Sequence, residues 1–109
     1  MSNTPTRLEI TQVGPCAYAL AGEIDAHAVP ALAETFRTLP DGPADIDIDL
    51  KSVTFIDSSG LRVLIDVHQR AEDASRRMVL QSPSQSVARL LQVAGLAGHF
   101  HVSPDPAPR

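Results

Sequence analysis

The spacing of the apolar residues changes abruptly in the middle of the chain. Ile46, Ile48 and Leu50 alternate with aspartates, and this period of two predicts a β-strand with one covered face. From Leu61 onward the apolar residues are three and four positions apart, which predicts an amphipathic helix. They are Leu61, Leu64, Ile65, His68 and Ala71. The chain therefore passes directly from a strand into a helix, and this junction constrains the fold more than any other segment.

The junction itself reads Phe55-Ile56-Asp57-Ser58-Ser59-Gly60-Leu61. Its carboxylate and hydroxyls can accept hydrogen bonds from the free N–H groups of a first helical turn, so we expect Ser58 at or beside the N-cap. Glycine near a helix start costs up to about 1 kcal/mol relative to alanine. Gly60 therefore predicts that another part of the chain closely approaches the backbone at this point.

The exposed face of the same helix carries alternating charges. Its polar residues are Arg62, Asp66, Gln69, Arg70 and Asp73. Opposite charges four residues apart lie on one face of a helix and attract each other. The spacing therefore predicts two ion pairs between residues four positions apart on this face.

Before the junction, two strand-like segments flank Gly14-Pro15. Residues 7–13 and 16–21 predict a β-hairpin, which residues 22–25 are expected to end. A first helix follows, and Pro30 is compatible with it only in the first turn. The apolar stripe of this helix is Val29, Leu32, Ala33 and Phe36.

After the junction helix, residues 78–80 predict a short buried strand, and Pro83 and Ser84 precede a third helix. Gly95 is expected at the C′ position of that helix, and residues 100–102 predict a last strand. The apolar stripe of the third helix is Val87, Leu90, Leu91 and Ala94.

The element order β-β-α-β-α-β-α-β predicts an α/β domain. Helices that alternate with strands imply a mostly parallel, mixed sheet of about four to five strands that begins with an antiparallel hairpin. Functional groups of such sheets collect beyond the carboxyl ends of the strands. We therefore expect Glu23 and Asp25, which follow one strand, to lie near Ser58, which follows another.

Length and charge exclude several classes of protein. The 109 residues suffice for one domain, which we expect over residues 7–103, between a disordered N-terminus (1–6) and a proline-rich tail (104–109). The net charge of −4 gives no basic surface for the phosphates of a nucleic acid. The single cysteine excludes a disulfide framework, and no apolar segment approaches the roughly 20 residues of a membrane helix. We expect a cytoplasmic protein.

The two serines of the junction raise the alternative of a serine hydrolase. The nucleophile turn of such enzymes needs glycine two residues to either side of the serine. Ile56 precedes Ser58 at that distance, and Asp57 precedes Ser59. Neither serine satisfies the pattern, so this alternative is the weaker one, and a simple helix cap explains the same residues.

The aspartates of the central strand resemble the first half of a calcium loop. Leu50 and Ile56 stand where that loop needs glycine and glutamate, so the pattern fails. We interpret Asp45, Asp47 and Asp49 instead as solvent-facing charges that disfavour edge-to-edge association of strands.

Three histidines deserve a similar test for metal binding. His99 and His101 can face one side of a strand, but no third or fourth ligand is recognisable in the sequence. We therefore expect them to be solvated edge residues, with His68 at the boundary of the apolar stripe of its helix.

Three segments together resemble the STAS domain, and specifically the bacterial anti-sigma factor antagonists. They are the Phe55 to Leu61 motif, the preceding Gly22-Glu23-Ile24-Asp25, and the later segment from Ser82-Pro83 to Gly95-Leu96. The likeness covers about residues 7 to 103 in matching order and spacing. It implies a STAS-like mixed sheet and a binding protein, not an enzyme, that needs no cofactor.

The resemblance also implies a partner and a switch. In this family the unphosphorylated antagonist binds an anti-sigma factor, typically a serine kinase of the GHKL type, and so releases a sigma factor. The kinase then phosphorylates the first serine of the motif, here Ser58, and a phosphatase reverses the modification. The predicted partner-binding residues are Glu23, Asp25, Asp57, Ser58, Ser59, Gly60, Leu61 and Arg62, of which Arg62 stands where some members of the family have a small residue. Within the fold, the alternative is a STAS subunit that docks on a transporter ATPase without a phosphorylation cycle.

Overall fold

Five strands lie side by side in the same order as in the sequence, in a computed structural model that describes residues 8–104. The elements are β1 (Leu8–Gly14), β2 (Ala17–Ile24), α1 (Val29–Thr35), β3 (Ile46–Ile56), α2 (Ser58–Asp73), β4 (Met78–Gln81), α3 (Gln85–Val93) and β5 (His101–Ser103). β1 and β2 form the antiparallel hairpin, and the other three pairings are parallel. The predicted α/β class and element order are confirmed.

Two strands extend further than the sequence analysis predicted. β2 continues to Ile24 and β3 to Ile56, whereas we expected their ends at Ala21 and Leu50. The pairing of β2 with β3 shifts register twice, and each shift inserts one extra residue into β3. Such bulges interrupt the period of two, so the apolar alternation stops while the strand continues. The end of β2 therefore contains the segment assigned to a turn.

The core lies between the sheet and the helices. The alternating residues of β3 are buried as predicted, and β3 is the central strand. Because β3 is not at an edge, the interpretation of its aspartates as protection against edge pairing is wrong. The aspartates form ion pairs and hydrogen bonds instead: Asp45, just before β3, pairs with Arg77, Asp47 accepts a hydrogen bond from Gln81, and Asp49 pairs with Lys51.

The helical stripes are largely confirmed, with particular exceptions. α2 buries Val67 in addition to the predicted positions, and Ile65 is only half-buried. Ala33 of α1 and Ala94 after α3 were predicted to face the core but are exposed. α1 has only seven residues and α3 only nine, so both alanines lie close to a helix end. Near an end, the 3.6-residue period alone does not determine which side chains face the core.

Helix ends account for two residues in the left-handed region. Ser75 follows α2 with φ 59°, and Gly95 follows α3 with φ 75°. After α2, the N–H of Arg76 donates to the carbonyl of Ala71 at 2.8 Å, and after α3 the N–H of Leu96 donates to that of Leu91 at 2.7 Å. These bonds satisfy carbonyls that the helix leaves free, as in a Schellman motif. The predicted C′ position of Gly95 is confirmed.

Arg76 is a buried charged residue that connects distant segments. Its guanidinium donates to the carbonyls of Ala44, at 3.0 Å, and Pro40 in the loop before β3. The side chain also lies 3.6 Å from the sulfur of Cys16. Arg76 therefore holds this loop against the amino ends of the strands.

Three of the four histidines meet at the far end of α2. The ring of His68 is buried and lies 4.7 Å from that of His99 and 5.9 Å from that of His101, between ring centroids. Glu72 lies 3.3 Å from the imidazole of His101 and is the acidic residue beside the cluster. The neighbouring strand β4, which α2 also contacts, adds no ionisable side chain to it. His99 is exposed and His101 lies in the edge strand β5, as predicted for solvated edge histidines, whereas His68 is buried and not at the boundary of its stripe. Sequence spacing could not detect the cluster because α2 and β5 come together only through the fold.

Residues 1–7 and 105–109 lie outside the described residues, so the predicted disordered N-terminus and most of the proline-rich tail remain predictions. Between them, within residues 8–104, no helix is both long enough and apolar enough to span a bilayer.

Candidate functional site

The site is the junction between β3 and α2, where a single aspartate organises the first turn of the helix. Asp57 is the N-cap of α2, and its Oδ1 accepts hydrogen bonds from the N–H groups of Ser59 and Gly60, at 3.0 and 3.2 Å. The hydroxyl of Ser59 donates to the same oxygen at 2.5 Å. The sequence predicted a cap at this position, and the structure assigns it to Asp57, one residue before Ser58.

These bonds also determine the charge at the junction. The hydrogen bond from the Ser59 hydroxyl lowers the pKa of Asp57, with the backbone N–H groups acting in the same direction and burial opposing them. A carboxylate that accepts several hydrogen bonds is favoured in its ionised form. Asp57 therefore contributes a fixed negative charge beside the serines.

The two serines occupy different environments. Ser58 is exposed in the first turn of α2, and its hydroxyl forms no hydrogen bond with any residue in 8–104. Ser59 is half-buried and its hydroxyl is held by Asp57. Only Ser58 therefore presents an unrestrained hydroxyl to solvent.

Gly60 fixes the junction against the neighbouring strand. A Cβ at this position would lie 2.8 Å from the carbonyl oxygen of Ile24 and would also overlap the side chain of Ile24. The same carbonyl accepts a hydrogen bond from the N–H of Asp57 at 3.2 Å. The close approach that Gly60 predicted is confirmed, and the end of β2 is the segment that approaches.

The end of β2 brings a second acidic turn to the same edge of the sheet. Ile24 pairs with Ile56, so Asp25 and Asp57 follow their strands at equivalent positions. The carboxylate of Asp25 accepts hydrogen bonds from the N–H groups of His27 and Ala28, at 3.0 and 3.2 Å, and so orders the turn before α1. The predicted proximity of this turn to the junction is thus found in the structure.

The predicted partner-binding residues fall into two groups. Two of them are buried, Gly60 and Leu61, and Leu61 packs in the core. The others reach the surface at least partly: Glu23, Asp25, Asp57, Ser58, Ser59 and Arg62. The contact of all eight with a partner remains a prediction, and the buried pair can act only by shaping the surface above it.

An apolar groove beside the junction escaped the sequence analysis. It lies between the end of β3 and α3 and is lined by Phe55, Ile56, Ser86, Arg89, Leu90 and Val93. Val93 is 78% exposed and Phe55 is 47% exposed. The available signal was that both Phe55 and Ile56 are apolar, so one of two consecutive strand residues had to point away from the core.

Comparison with known proteins agrees with this geometry. The family model for the STAS domain matches residues 6–107 of this chain. The chain belongs to the STAS domain family. The anti-sigma-B factor antagonist of Bacillus subtilis (strain 168) is 32% identical over 84 residues, which are 77% of each chain. The protein of the same name from Staphylococcus aureus (strain NCTC 8325 / PS 47) is 28% identical over 85 residues, or 77% of this chain and 79% of that one.

Solved structures show the same fold at lower identity. An anti-sigma factor antagonist from Mycobacterium paratuberculosis superposes with a TM-score of 0.72 at 23% identity, over 89% of this chain and 84% of that one. The anti-sigma factor antagonist SpoIIAA in its unphosphorylated form gives a TM-score of 0.66 at 22% identity, over 88% and 87%.

Proposed function

We propose that this protein is an anti-sigma factor antagonist that is switched off by phosphorylation of Ser58. In its unphosphorylated form it binds an anti-sigma factor that is a serine kinase of the GHKL type, and a sigma factor is released. A phosphatase that acts on phosphorylated Ser58 restores the active form. The names of the relatives support the class of function, and the exposed hydroxyl of Ser58 is the observation that carries the choice of residue.

The environments of the two serines support Ser58 as the acceptor. In the transfer, the Ser58 oxygen bonds to the γ-phosphorus of ATP, the bond to the ADP oxygen breaks, and the hydroxyl proton leaves to a base of the kinase. An exposed hydroxyl without an internal hydrogen bond can enter the kinase site without disturbing the fold. Ser59 would first have to give up its bond to Asp57, and the cap of α2 would weaken.

Charge and position explain why phosphorylation would block binding. A phosphate adds a charge of about −1.5 to −2 and three acceptor oxygens, beside the ionised Asp57. The helix N-terminus tolerates an anion, so the domain stays folded. A partner surface shaped for a small hydroxyl must instead bury this charge. A penalty of about 5 kcal/mol moves an equilibrium from almost fully bound to almost fully free.

The proposal is tested by incubating the protein with ATP and each anti-sigma kinase of the same organism. We expect mass spectrometry to place one phosphate on Ser58, and calorimetry to show tight binding that phosphorylation abolishes. S58A should bind without being modified, and S59A, as the matched control, should still be phosphorylated. Phosphate on Ser59, or equal binding of the modified and unmodified protein, would contradict the proposal.

Within residues 8–104, neither serine has a histidine as hydrogen-bond partner. If a serine hydrolase were nonetheless the correct class, a fluorophosphonate probe would label Ser58 or Ser59.

A further inference from the structure

The exposed face of α2 leaves one arginine without an anionic partner. The sequence predicted two ion pairs on this face, and the structure forms one, between Asp66 and Arg70 at 3.0 Å. Arg70 also donates to the carbonyl of Arg37, at 3.1 Å. Arg62, which could have paired with Asp66, is exposed and has no hydrogen bond or ion pair with any described residue. The prediction of two pairs is therefore wrong, and one guanidinium remains available.

Arg62 stands four residues after Ser58 in the same helix. Residues four apart lie on one helix face, with their Cβ atoms about 5–6 Å apart. Side chains of a helix lean toward its N-terminus, so a long side chain at position 62 extends back over the turn that carries Ser58. The reach of an arginine side chain covers the space that a group attached to the Ser58 oxygen would occupy.

We propose that Arg62 binds the phosphate of phosphorylated Ser58 within the same helix and so sets the ionisation and orientation of that group. This inference rests on the proposed function, because it concerns the modified form of the same residue. A planar guanidinium donates two parallel hydrogen bonds to phosphate oxygens, and these charge-assisted bonds are stronger than those between neutral groups. Arg62 is thus a positioning residue for the modification.

The charges around Ser58 favour this assignment. Asp57 is ionised and already accepts three hydrogen bonds, so it repels the phosphate. The acidic residues Glu23 and Asp25 stand at the end of β2, which is paired with the end of β3 at the same edge of the sheet. Arg89 of α3 lines the groove beside Phe55 and Ile56. Of the two arginines of α2, Arg70 is paired with Asp66 and lies about three helical turns beyond Ser58. Arg62 is the arginine of this helix that is both close enough and available. By offsetting the repulsion from Asp57, it favours the doubly ionised phosphate.

The test uses protein in which phosphoserine is incorporated at position 58 during translation, so that no kinase is needed. The phosphate is titrated by ³¹P NMR in four proteins: the wild-type background, R62K, R62Q and R77Q. R77Q is the matched control, because it removes the same charge at the amino end of β4, away from the junction. We expect the phosphate to ionise at the lowest pH in the wild type and at a higher pH in R62Q, with R62K between them and R77Q equal to the wild type.

Two further readouts separate a direct contact from a general charge effect. The difference between wild type and R62Q should persist in part at about 1 M salt, where the screening length falls to about 3 Å, because hydrogen-bonded atoms lie within that length whereas a general charge effect acts over longer distances and would disappear. The Nε–H resonance of Arg62 should shift on phosphorylation. Coincident titrations of wild type and R62Q, or an equal shift in R77Q, would overturn the inference. Failure of every kinase to modify Ser58 would instead refute the proposed function and leave this result standing.

Discussion

Replacing Gly60 by alanine should destabilise the domain at the point that also positions Ser58. The added Cβ would lie 2.8 Å from the carbonyl oxygen of Ile24 and would overlap its side chain. That carbonyl cannot retreat freely, because it holds the N–H of Asp57 at 3.2 Å and belongs to a strand paired with β3. Relief therefore requires the first turn of α2 to move away from β2.

Two opposing contributions set the magnitude. Overpacking a close-packed contact costs about 1–3 kcal/mol, and the upper end applies because a backbone oxygen is involved. Alanine is favoured over glycine inside a helix by about 1 kcal/mol, which offsets part of the cost. The net loss for Gly60→Ala is about 2 kcal/mol. In a domain of this size that corresponds to a fall in Tm of about 10 °C.

Thermal and urea unfolding, followed by circular dichroism, measure this loss. Gly98→Ala is the matched control, because a Cβ there meets nothing within 4 Å, and its stability should change by less than about 0.5 kcal/mol. In an Ile24→Ala background the cost of Gly60→Ala should fall, because part of the overlap has been removed. If Gly60→Ala were as stable as the wild type, the contact with Ile24 would not restrict this position, and the proposed rigidity of the junction would be refuted.

Three other changes test separate parts of the fold. Ser75→Gly should raise the free energy of unfolding by about 0.5 kcal/mol, since glycine adopts φ 59° without strain, and a lower Tm would contradict this. Arg76→Met should cost about 3 kcal/mol in urea unfolding, because the carbonyls of Pro40 and Ala44 lose charged donors, and a loss below about 1 kcal/mol would refute that role. Burial, and to a lesser degree the neighbouring His99, lower the pKa of His68 below 6.5, so the folded state favours the neutral imidazole. The resulting contribution to the free energy of unfolding is fully present above about pH 6.5 and is lost as the pH falls toward the lowered pKa. His68→Phe should therefore flatten the decline of Tm between about pH 7 and pH 5, whereas an unchanged slope would exclude His68 as its source.

The parts of the fold that follow from local spacing were predictable from the sequence. The alternation of β3 up to Leu50, the stripe of α2 and the glycine after α3 each depend on neighbouring residues alone. The continuation of β3 to Ile56 was not predictable in the same way, because bulges disrupt the period while pairing with β2 maintains the strand. The histidine cluster and the groove beside Phe55 arise where distant elements pack together, and no local period records such contacts.

In the candidate site, too, some features could be predicted from the local sequence and others could not. A cap and a close backbone approach could be predicted, because Asp57 and Gly60 have physical reasons to stand at a helix start. The choice between the two serines could not be made from spacing, since both can cap a helix. The proposed choice of Ser58 is supported by the hydrogen bond that the hydroxyl of Ser59 donates to Asp57, and by the exposure of Ser58.

The rigidity of the junction limits how phosphorylation can act. Asp57 already accepts three hydrogen bonds, and Gly60 leaves no space between α2 and the end of β2. A phosphate on Ser58 would therefore neither rearrange the helix cap nor insert between α2 and β2, and it would remain on the surface of the first turn. Under the proposed function, the modification then changes the charge and shape that a partner meets, and the domain itself keeps its structure. A phosphorylated protein that bound no anti-sigma factor yet unfolded at an unchanged or higher temperature would agree with this account, whereas loss of the α2 start on phosphorylation would contradict it.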